Sequence, residues 1–307
     1  MAVSQGSVET VGKKRSFIED WARKNDSRIK EWKHSIRLFL KSPLAVIGLI
    51  IVILFIMMAI FAPWLAPYPN NWRDITKQSM PPSPEHLLGT EIYGGDILSM
   101  IIWGSRVSLT IGMTIVLSVV IVGTIVGAIA GYFGGYIDEL LMRITDIFLA
   151  FPSLVLAMVI VAALGSGLQN VMIAIAIVSW PAYARLIRGQ VLSIKERNFV
   201  EAARAVGASD WRIITRHLIP NSIAPIIVQA TMDLGGIIIT AAALSFIGMG
   251  AGPGEAEWGR MITDGQSRLL SAPWISTFPG IAILVVCLGF NLLGDGLRDI
   301  LDPRMRR

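Results

Sequence analysis

Long runs of apolar residues without any charge recur along this chain, and the first extends from Leu44 to Leu65. At about 1.5 Å per residue, a helix of that length reaches across a hydrocarbon core of about 30 Å. The chain as a whole is 53% hydrophobic and 16% charged, whereas a soluble domain is about a quarter charged. Because the runs continue along the whole length, the first is more than a cleaved signal peptide. The sequence predicts an all-α integral membrane protein.

The apolar runs divide into six predicted transmembrane helices. One run, from Ile147 to Ala184, contains 38 residues and is too long for a single crossing. The sequence GSGLQN at 165–170 breaks this run in the middle, so that it forms helices three and four. The other predicted helices are 44–65, 107–131, 222–248 and 274–293.

The distribution of Lys and Arg predicts how the helices are oriented, because these residues concentrate on the cytoplasmic side of membrane proteins. If the N-terminus is cytoplasmic, 22 of the 27 Lys and Arg residues lie on the cytoplasmic side and 5 on the other. Both termini are therefore predicted to be cytoplasmic. The cytoplasmic segments in this arrangement are 1–42, 132–146, 182–221 and 298–307.

The predicted domain organisation follows from this topology. Residues 1–43 are a basic cytoplasmic segment, and apolar residues at roughly helical spacing from about residue 28 predict an amphipathic helix on the inner leaflet. A flexible basic tail is the alternative. The proline-rich residues 66–106 are predicted to be an extracytoplasmic loop. The remaining parts are the first transmembrane helix (44–65), a five-helix core (107–297) with a cytoplasmic loop at 196–220, and a cytoplasmic tail (298–307).

Several functional classes find no support in the sequence. The single cysteine, Cys287, lies in an apolar run where an inert buried thiol is expected, and the three histidines are too far apart to indicate a metal site. No Walker-type nucleotide motif occurs, so the chain is predicted to bind no cofactor itself. The net charge of +5 reflects topology, and no nucleic-acid motif accompanies it. An intramembrane enzyme would need a nucleophile–base pair, and no predicted span contains a histidine.

Helix two carries a row of glycines at four-residue spacing. Gly123, Gly127 and Gly131 lie on one face of the predicted helix. Small residues in this pattern allow another helix to approach closely. Packing is the expected role, and a flexible hinge is the alternative.

Helix five contains Asp233, the one formal charge inside a predicted span. Helical spacing places Gln229, Gly236 and Ile237 on the same face. A carboxylate at that depth usually faces a protein interior or a watery cavity. The pair of Gln229 and Asp233 therefore predicts the lining of a translocation path or, alternatively, a structural contact with a neighbouring helix.

A polar segment, VEAARAVGASDWRIITRHLIP, separates two of the apolar runs on the predicted cytoplasmic side. Residues 198–206 predict a short helix that Gly207 terminates. Ser209 is the predicted N-cap of a second short helix, which extends to His217 and precedes Pro220. The apolar side chains of the first helix have no lipid to cover them, so a soluble partner or the chain itself must do so. These side chains are Val200, Ala202, Ala203 and Val206.

This segment resembles the EAA loop of the permeases of ABC importers, through Glu201, Ala202, Ala203, Gly207 and Pro220. His217 stands where isoleucine is usual, as in the peptide-importer branch. The sequence EHLLGTEIYGGDILSMIIWGSRVSL (85–109) is similar to the second permease subunit of dipeptide, oligopeptide and nickel importers. WPAYARLIRGQVLSIKERNF upstream of the loop and ALSFIGMG, EWGRMITDG and LGDGLRDILDPR downstream also resemble that branch. The sequence departs from the 85–109 signature at Leu87, Glu91, Gly95 and Met100.

The resemblance implies a type I importer (MetI-like) permease fold in a prokaryotic cell membrane. Its implied partners are a homologous second permease, two ATPases that hold ATP and Mg²⁺, and an extracytoplasmic substrate-binding protein. Glu201 would pair with a base on an ATPase, and Gly207 would set the bend of the loop. Peptides and oligosaccharides stay open as substrates, and the lack of histidine in the predicted helices argues against nickel. An ATP-independent secondary transporter or channel is the alternative function. The residues assigned to coupling are Val200, Glu201, Ala202, Ala203, Val206, Gly207, Ala208 and Pro220.

Overall fold

The computed structural model describes residue 37 and residues 39–301, and the described elements are helices joined by turns and loops. The predicted amphipathic helix from about residue 28 onward lies outside the described residues up to residue 36, and so does the tail beyond 301. The helices are α1 (Pro43–Leu65), α2 (Ile97–Phe133), α3 (Gly135–Leu149), α4 (Ser153–Leu164), α5 (Leu168–Lys195), α6 (Asn198–Ala205), α7 (Asp210–Ile213), α8 (Ile219–Asn221), α9 (Ile223–Phe246), α10 (Trp258–Gln266) and α11 (Trp274–Leu301). A 3₁₀ turn covers Ile75–Lys77, and a π-helical turn at Ile214–Leu218 joins α7 to α8.

Five of these helices, α1, α2, α5, α9 and α11, are long and apolar enough to cross a membrane. The third predicted span is not one continuous helix. It is the pair α3 and α4, which meet at an angle of 88°. Pro152 lies in the break between the two helices. The α4 helix has 12 residues, and at about 18 Å it is too short to cross a hydrocarbon core alone. The predicted third and fourth spans are separated by the break between α4 and α5, which falls at Gly165–Gly167, inside the predicted GSGLQN.

Helix α2 begins at Ile97, ten residues before the predicted start at Val107. The Asp96 side chain accepts a hydrogen bond from the Ser99 N–H and caps the helix. With 37 residues α2 is about 55 Å long, so it extends well beyond the hydrocarbon core. The prediction of a loop up to residue 106 was wrong for its last ten residues. The exposed Arg106, at which the predicted loop ended, lies within the helix.

Residues 66–96 and 247–273 pack together into a structure that we call the cap. The imidazole Nδ1 of the buried His86 lies 3.0 Å from Oδ1 of Asp96, and Trp274 Nε1 donates a hydrogen bond to the carbonyl of Thr90. Glu257 caps α10 by accepting hydrogen bonds from two backbone N–H groups. Burial raises the pKa of the Glu257 carboxyl, and these hydrogen bonds partly oppose that shift. The cap joins the ends of α1, α2, α9 and α11.

The glycine row of α2 packs directly against α5. A Cβ built on Gly123 would lie 2.4 Å from Cβ of Tyr183, and one on Gly127 would lie 2.3 Å from the carbonyl oxygen of Ala184. A Cβ on Gly131 would lie 3.0 Å from the carbonyl oxygen of Arg188. The two helix backbones therefore approach closely because these residues lack side chains. The structure supports packing, rather than a hinge, as the role of the row.

Candidate functional site

A loop at residues 196–222 lies at the end of the bundle opposite the cap, and a glycine turn bends it. Gly207 has φ +79°, in the left-handed region that favours glycine. Its N–H donates to the carbonyl of Arg204 at 2.9 Å, and the N–H of Ala208 donates to the carbonyl of Ala203 at 3.0 Å. These two bonds and the left-handed glycine constitute a Schellman motif. Gly207 terminates α6, as the sequence predicts.

Val200 anchors α6 to the membrane helices. Its side chain is completely buried in an apolar cluster with Ile187 of α5 and with Ile213 and Leu218 from the second half of the loop. The sequence assigned Val200 to coupling and left open whether a partner or the chain itself covers it; the structure shows that the chain itself does. The α6 helix packs the face that carries Val200 against its own bundle, because successive side chains of a helix point in different directions and only one face can meet the bundle.

Polar contacts hold the loop in the same place. The Tyr132 hydroxyl, at the end of α2, donates to Oδ1 of Asp210 at 2.6 Å. The Arg204 guanidinium lies 5.5 Å from the centroid of the Tyr132 ring, in a cation–π contact. Lys195 Nζ donates to the carbonyl of Gly131. The loop is therefore fixed to the end of α2, and the Lys195 bond ties the ends of α2 and α5 to each other.

The opposite face of the loop is apolar and uncovered. Val206 is 83% exposed and Trp211 is 62% exposed, although the loop lies beyond the ends of the membrane-length helices. Glu201 and Ala202 are exposed beside them, and Glu201 forms no ion pair with any other described residue. Large exposed apolar side chains next to a free carboxylate are typical of a protein-binding surface. We call this set, with Phe199, the coupling face.

Two of the residues that the sequence assigns to coupling do not lie on this exposed face. Ala203 and Ala208 are half-buried and pack partly against the apolar cluster beneath the loop. As the flanking residues of the Schellman motif, they make the apolar contact that accompanies such turns. They therefore support the bend of the loop more than its outer surface.

The second half of the loop is longer than predicted. Ser209 precedes α7, but its side chain makes no capping hydrogen bond. Beyond α7 the chain continues through the π-helical turn into α8, which contains Pro220. Pro220 was predicted to follow the end of the helix. It instead occupies the first turn of α8, where the missing N–H of proline costs no helical hydrogen bond.

A polar stripe runs along an uncovered face of α9. Gln229 Nε2 donates to Oδ1 of Asp233 at 3.0 Å, and both residues are half-buried. Gly236 is exposed one turn further on, followed by the half-buried Thr240. Ile237, expected on the same face, is buried in the core between helices. The stripe is therefore rotated slightly from the predicted one, and it is lined by small and polar groups.

Tyr183 of α5 is a neighbour of this stripe that sequence analysis missed. Its side chain is 1% exposed, and its hydroxyl has no hydrogen-bond partner among the described residues. Tyr183 packs in the same apolar cluster as Ile237 of α9, which follows Asp233 by one turn. The sequence signal that could have identified it is a single tyrosine in the uncharged run from Ile147 to Ala184.

No group of three or more His, Cys, Asp or Glu residues in the described chain could hold a metal ion. The membrane-length helices, with an apolar face left uncovered on the loop and a polar stripe on α9, define an integral membrane protein with a surface for a partner. The comparison with family models agrees. Residues 123–307 match the binding-protein-dependent transport system inner membrane component, and residues 30–82 match the N-terminal TM domain of oligopeptide transport permease C. The chain belongs to the family of binding-protein-dependent transport system inner membrane components.

Individual relatives are similar over nearly the whole chain. It is 48% identical over 278 residues to the dipeptide transport system permease protein DppC of Alkalihalophilus pseudofirmus, covering 91% of each chain. It is 46% identical to the probable D,D-dipeptide transport system permease protein DdpC of Escherichia coli K12, covering 86% of this chain and 88% of the relative. It is also 46% identical to the glutathione transport system permease protein GsiD of Shigella flexneri, covering 90% of this chain and 91% of the relative.

A solved structure shares the fold. The inward-facing MetNI methionine ABC transporter aligns with a TM-score of 0.54 at 18% identity, over 66% of this chain and 97% of that chain. The predicted membership in the ABC-importer permeases, the helical permease fold and the inner-membrane location are confirmed.

Proposed function

We propose that this chain is one of two permease subunits of an ATP-driven importer of small peptides. The 48% identity to a dipeptide permease over 91% of both chains supports this substrate class most directly, and it favours peptides over oligosaccharides or nickel. Uptake of a radiolabelled dipeptide into vesicles that contain the assembled transporter should require ATP hydrolysis. Uptake without ATP would contradict the proposal and favour the secondary transporter or channel.

The proposed complex contains a homologous second permease, two ATPases that bind ATP and Mg²⁺, and an extracytoplasmic substrate-binding protein. The positive-inside distribution favours a cytoplasmic position for the loop at 196–222 and an extracytoplasmic position for the cap. The described chain enters at α1 and leaves at α11 at the same end as the loop. The cap would then receive the binding protein, and the loop would contact an ATPase.

The coupling face is the surface proposed to dock in an ATPase groove. Val206 and Trp211 would lose their exposure to water there, and Glu201 would pair with a basic residue of the ATPase. The buried Val200 and the bond from Tyr132 to Asp210 tie this face to α5 and α2. Because those contacts are rigid, movement of the ATPase would reach both helices rather than being absorbed in the loop.

Crosslinking should distinguish the outer face of the loop from its inner face. A Val206→Cys variant should crosslink to a cysteine in the ATPase groove, because Val206 is 83% exposed. An Ala203→Cys variant should crosslink more weakly, since Ala203 packs against the bundle. Ser193→Cys, an exposed position on α5, is the control and should stay open to thiol reagents. Free labelling of the thiol introduced at position 206 in the intact complex would contradict the docking.

The stripe on α9 is the proposed part of the translocation path. An unpaired carboxylate facing lipid would cost several kcal/mol, which favours a watery cavity between the two permeases for Gln229 and Asp233. The exposed Gly236 keeps that face free of bulky side chains. The stripe would then line half of the path, and the second permease would line the other half.

Accessibility tests this placement. In an Asp233→Cys variant, a membrane-impermeant thiol reagent should react when the transporter is trapped outward-open with ATP and catalytically inactive ATPases. A Leu54→Cys variant is the control, because Leu54 is an exposed apolar residue of α1 and should face lipid in every state. If the thiol introduced at position 233 stays unreactive in both the trapped and the resting complex, Asp233 has a structural role.

A further inference from the structure

We infer that Asp233, Gln229 and Tyr183 form a binding site for the primary ammonium group of a substrate in transit. The inference rests on the proposed role of the chain as a peptide importer, since a peptide carries such a group at its N-terminus. It names the chemical group that the stripe would bind, and it assigns a role to Tyr183, which lies on a different helix.

The charge of Asp233 has no compensating partner in the described structure. Asp233 is ten residues beyond Ile223, so it lies about 15 Å along α9. No described Lys or Arg forms an ion pair with it. An ionisable group inside the membrane normally pairs with an opposite charge or a polar network. A cation that arrives with the substrate supplies the missing charge.

The hydrogen-bonding groups at this position match an ammonium ion. Gln229 donates one bond to Oδ1 of Asp233, which leaves Oδ2 as an acceptor and the Gln229 amide oxygen as a second. The Tyr183 hydroxyl is enclosed within this chain and has no partner among the described residues; it provides a third once the side chains that cover it move aside. A primary ammonium has three N–H donors and no acceptor. The three donors correspond to one acceptor from each of the three side chains.

The backbone around the site holds Tyr183 in place and leaves room beside Asp233. Gly123 allows α5 to approach α2 at Tyr183, since a Cβ on Gly123 would lie 2.4 Å from Cβ of Tyr183. On the other side, a Cβ built on Gly236 would meet no atom within 4 Å. The phenol is therefore fixed by packing, whereas the space next to the carboxylate is open within this chain.

The test compares import of L-alanyl-L-alanine with import of N-acetyl-L-alanyl-L-alanine by the full complex in proteoliposomes. The preference for the free amine is measured in the original protein and in two variants, so that any preference of the binding protein is common to all and cancels. Asp233→Asn should reduce this preference about tenfold and Tyr183→Phe about threefold, because hydrogen bonds to a charged group are the stronger ones. Asp299→Asn and Tyr136→Phe, at exposed positions, are matched controls and should leave the preference unchanged.

Two results of this transport experiment would contradict the proposed site. Equal loss of both substrates in Asp233→Asn would overturn the site and leave a structural carboxylate. If Tyr183→Phe keeps the original preference for the free amine, Tyr183 is not part of the ammonium site.

A second measurement is independent of transport. Ethylammonium should lower the total modification of Asp233 by dicyclohexylcarbodiimide, counted by mass spectrometry as the N-acylurea plus any ethylamide formed from the activated carboxyl, and tetraethylammonium, which has no N–H donor, should not. If the original protein imports neither peptide, the proposed substrate class is wrong, and this protection still decides the site. Equal labelling with both amines would contradict it.

Discussion

A Gly207→Val variant should assemble normally but lose import, because the bend of the loop at 196–222, which we propose contacts an ATPase, depends on this residue. Gly207 has φ +79°, and an L-residue in that region costs about 1–2 kcal/mol, more when it is β-branched. About 2 kcal/mol lowers the equilibrium ratio of bent to unbent loop roughly 30-fold. ATP hydrolysis by the complex should continue at its basal rate, while its stimulation by loaded binding protein and the import of substrate should fall by up to that factor.

Steric crowding does not complicate this experiment, since a Cβ on Gly207 would meet no atom within 4 Å. The matched control is Gly189→Val, at an exposed helical glycine of α5 with equally open surroundings and no positive φ. It should retain coupling. Gly207→Asn should retain more import than the valine variant, because asparagine tolerates the left-handed region. Full coupling in Gly207→Val would show that the bend is dispensable.

A Gly127→Ala variant should yield little folded protein. A Cβ at this position would lie 2.3 Å from the carbonyl oxygen of Ala184 and 2.9 Å from Cβ of Ile187. The backbone of α5 cannot move aside as a flexible side chain can, so α2 and α5 must separate along their contact. Overpacking of this kind typically costs about 1–3 kcal/mol, and contact with backbone places the expected loss at the upper end.

The control is Gly280→Ala in α11, where the nearest atom to a built Cβ is 4.0 Å away. Both substitutions change a helical glycine to alanine, so the difference in their effects isolates the helix contact. Thermal unfolding and the yield of monodisperse protein in detergent measure this difference. Equal stability of the two variants would mean that the close approach of α2 and α5 is not needed.

The membrane helices could be predicted from the sequence because their cause is local. A segment of uncharged apolar residues is stable in lipid as a helix whatever its neighbours are. The same holds for Gly207, whose place between two short helices already predicts a left-handed turn. By contrast, the third span was predicted as one helix, since apolar composition over residues 147–164 does not reveal the 88° bend before Pro152.

The chain's contacts within the bundle could not be predicted, because they join residues far apart in sequence. Val200 and Val206 are both valines of one short segment, yet one is buried and the other is exposed. Only the position of α6 against α5 separates them. Tyr183 and Asp233 lie on different helices, and nothing in either segment indicates that the phenol lies beside the carboxylate.

The sequence by itself determined the class of fold, the family, the number of apolar runs and the position of the glycine bend, because each follows from residues that are neighbours along the chain. The tertiary structure alone decided which face of the loop is free, which face of α9 carries the polar stripe, and where α2 begins. These features follow from how the helices pack around each other, and packing is set by many distant residues at once.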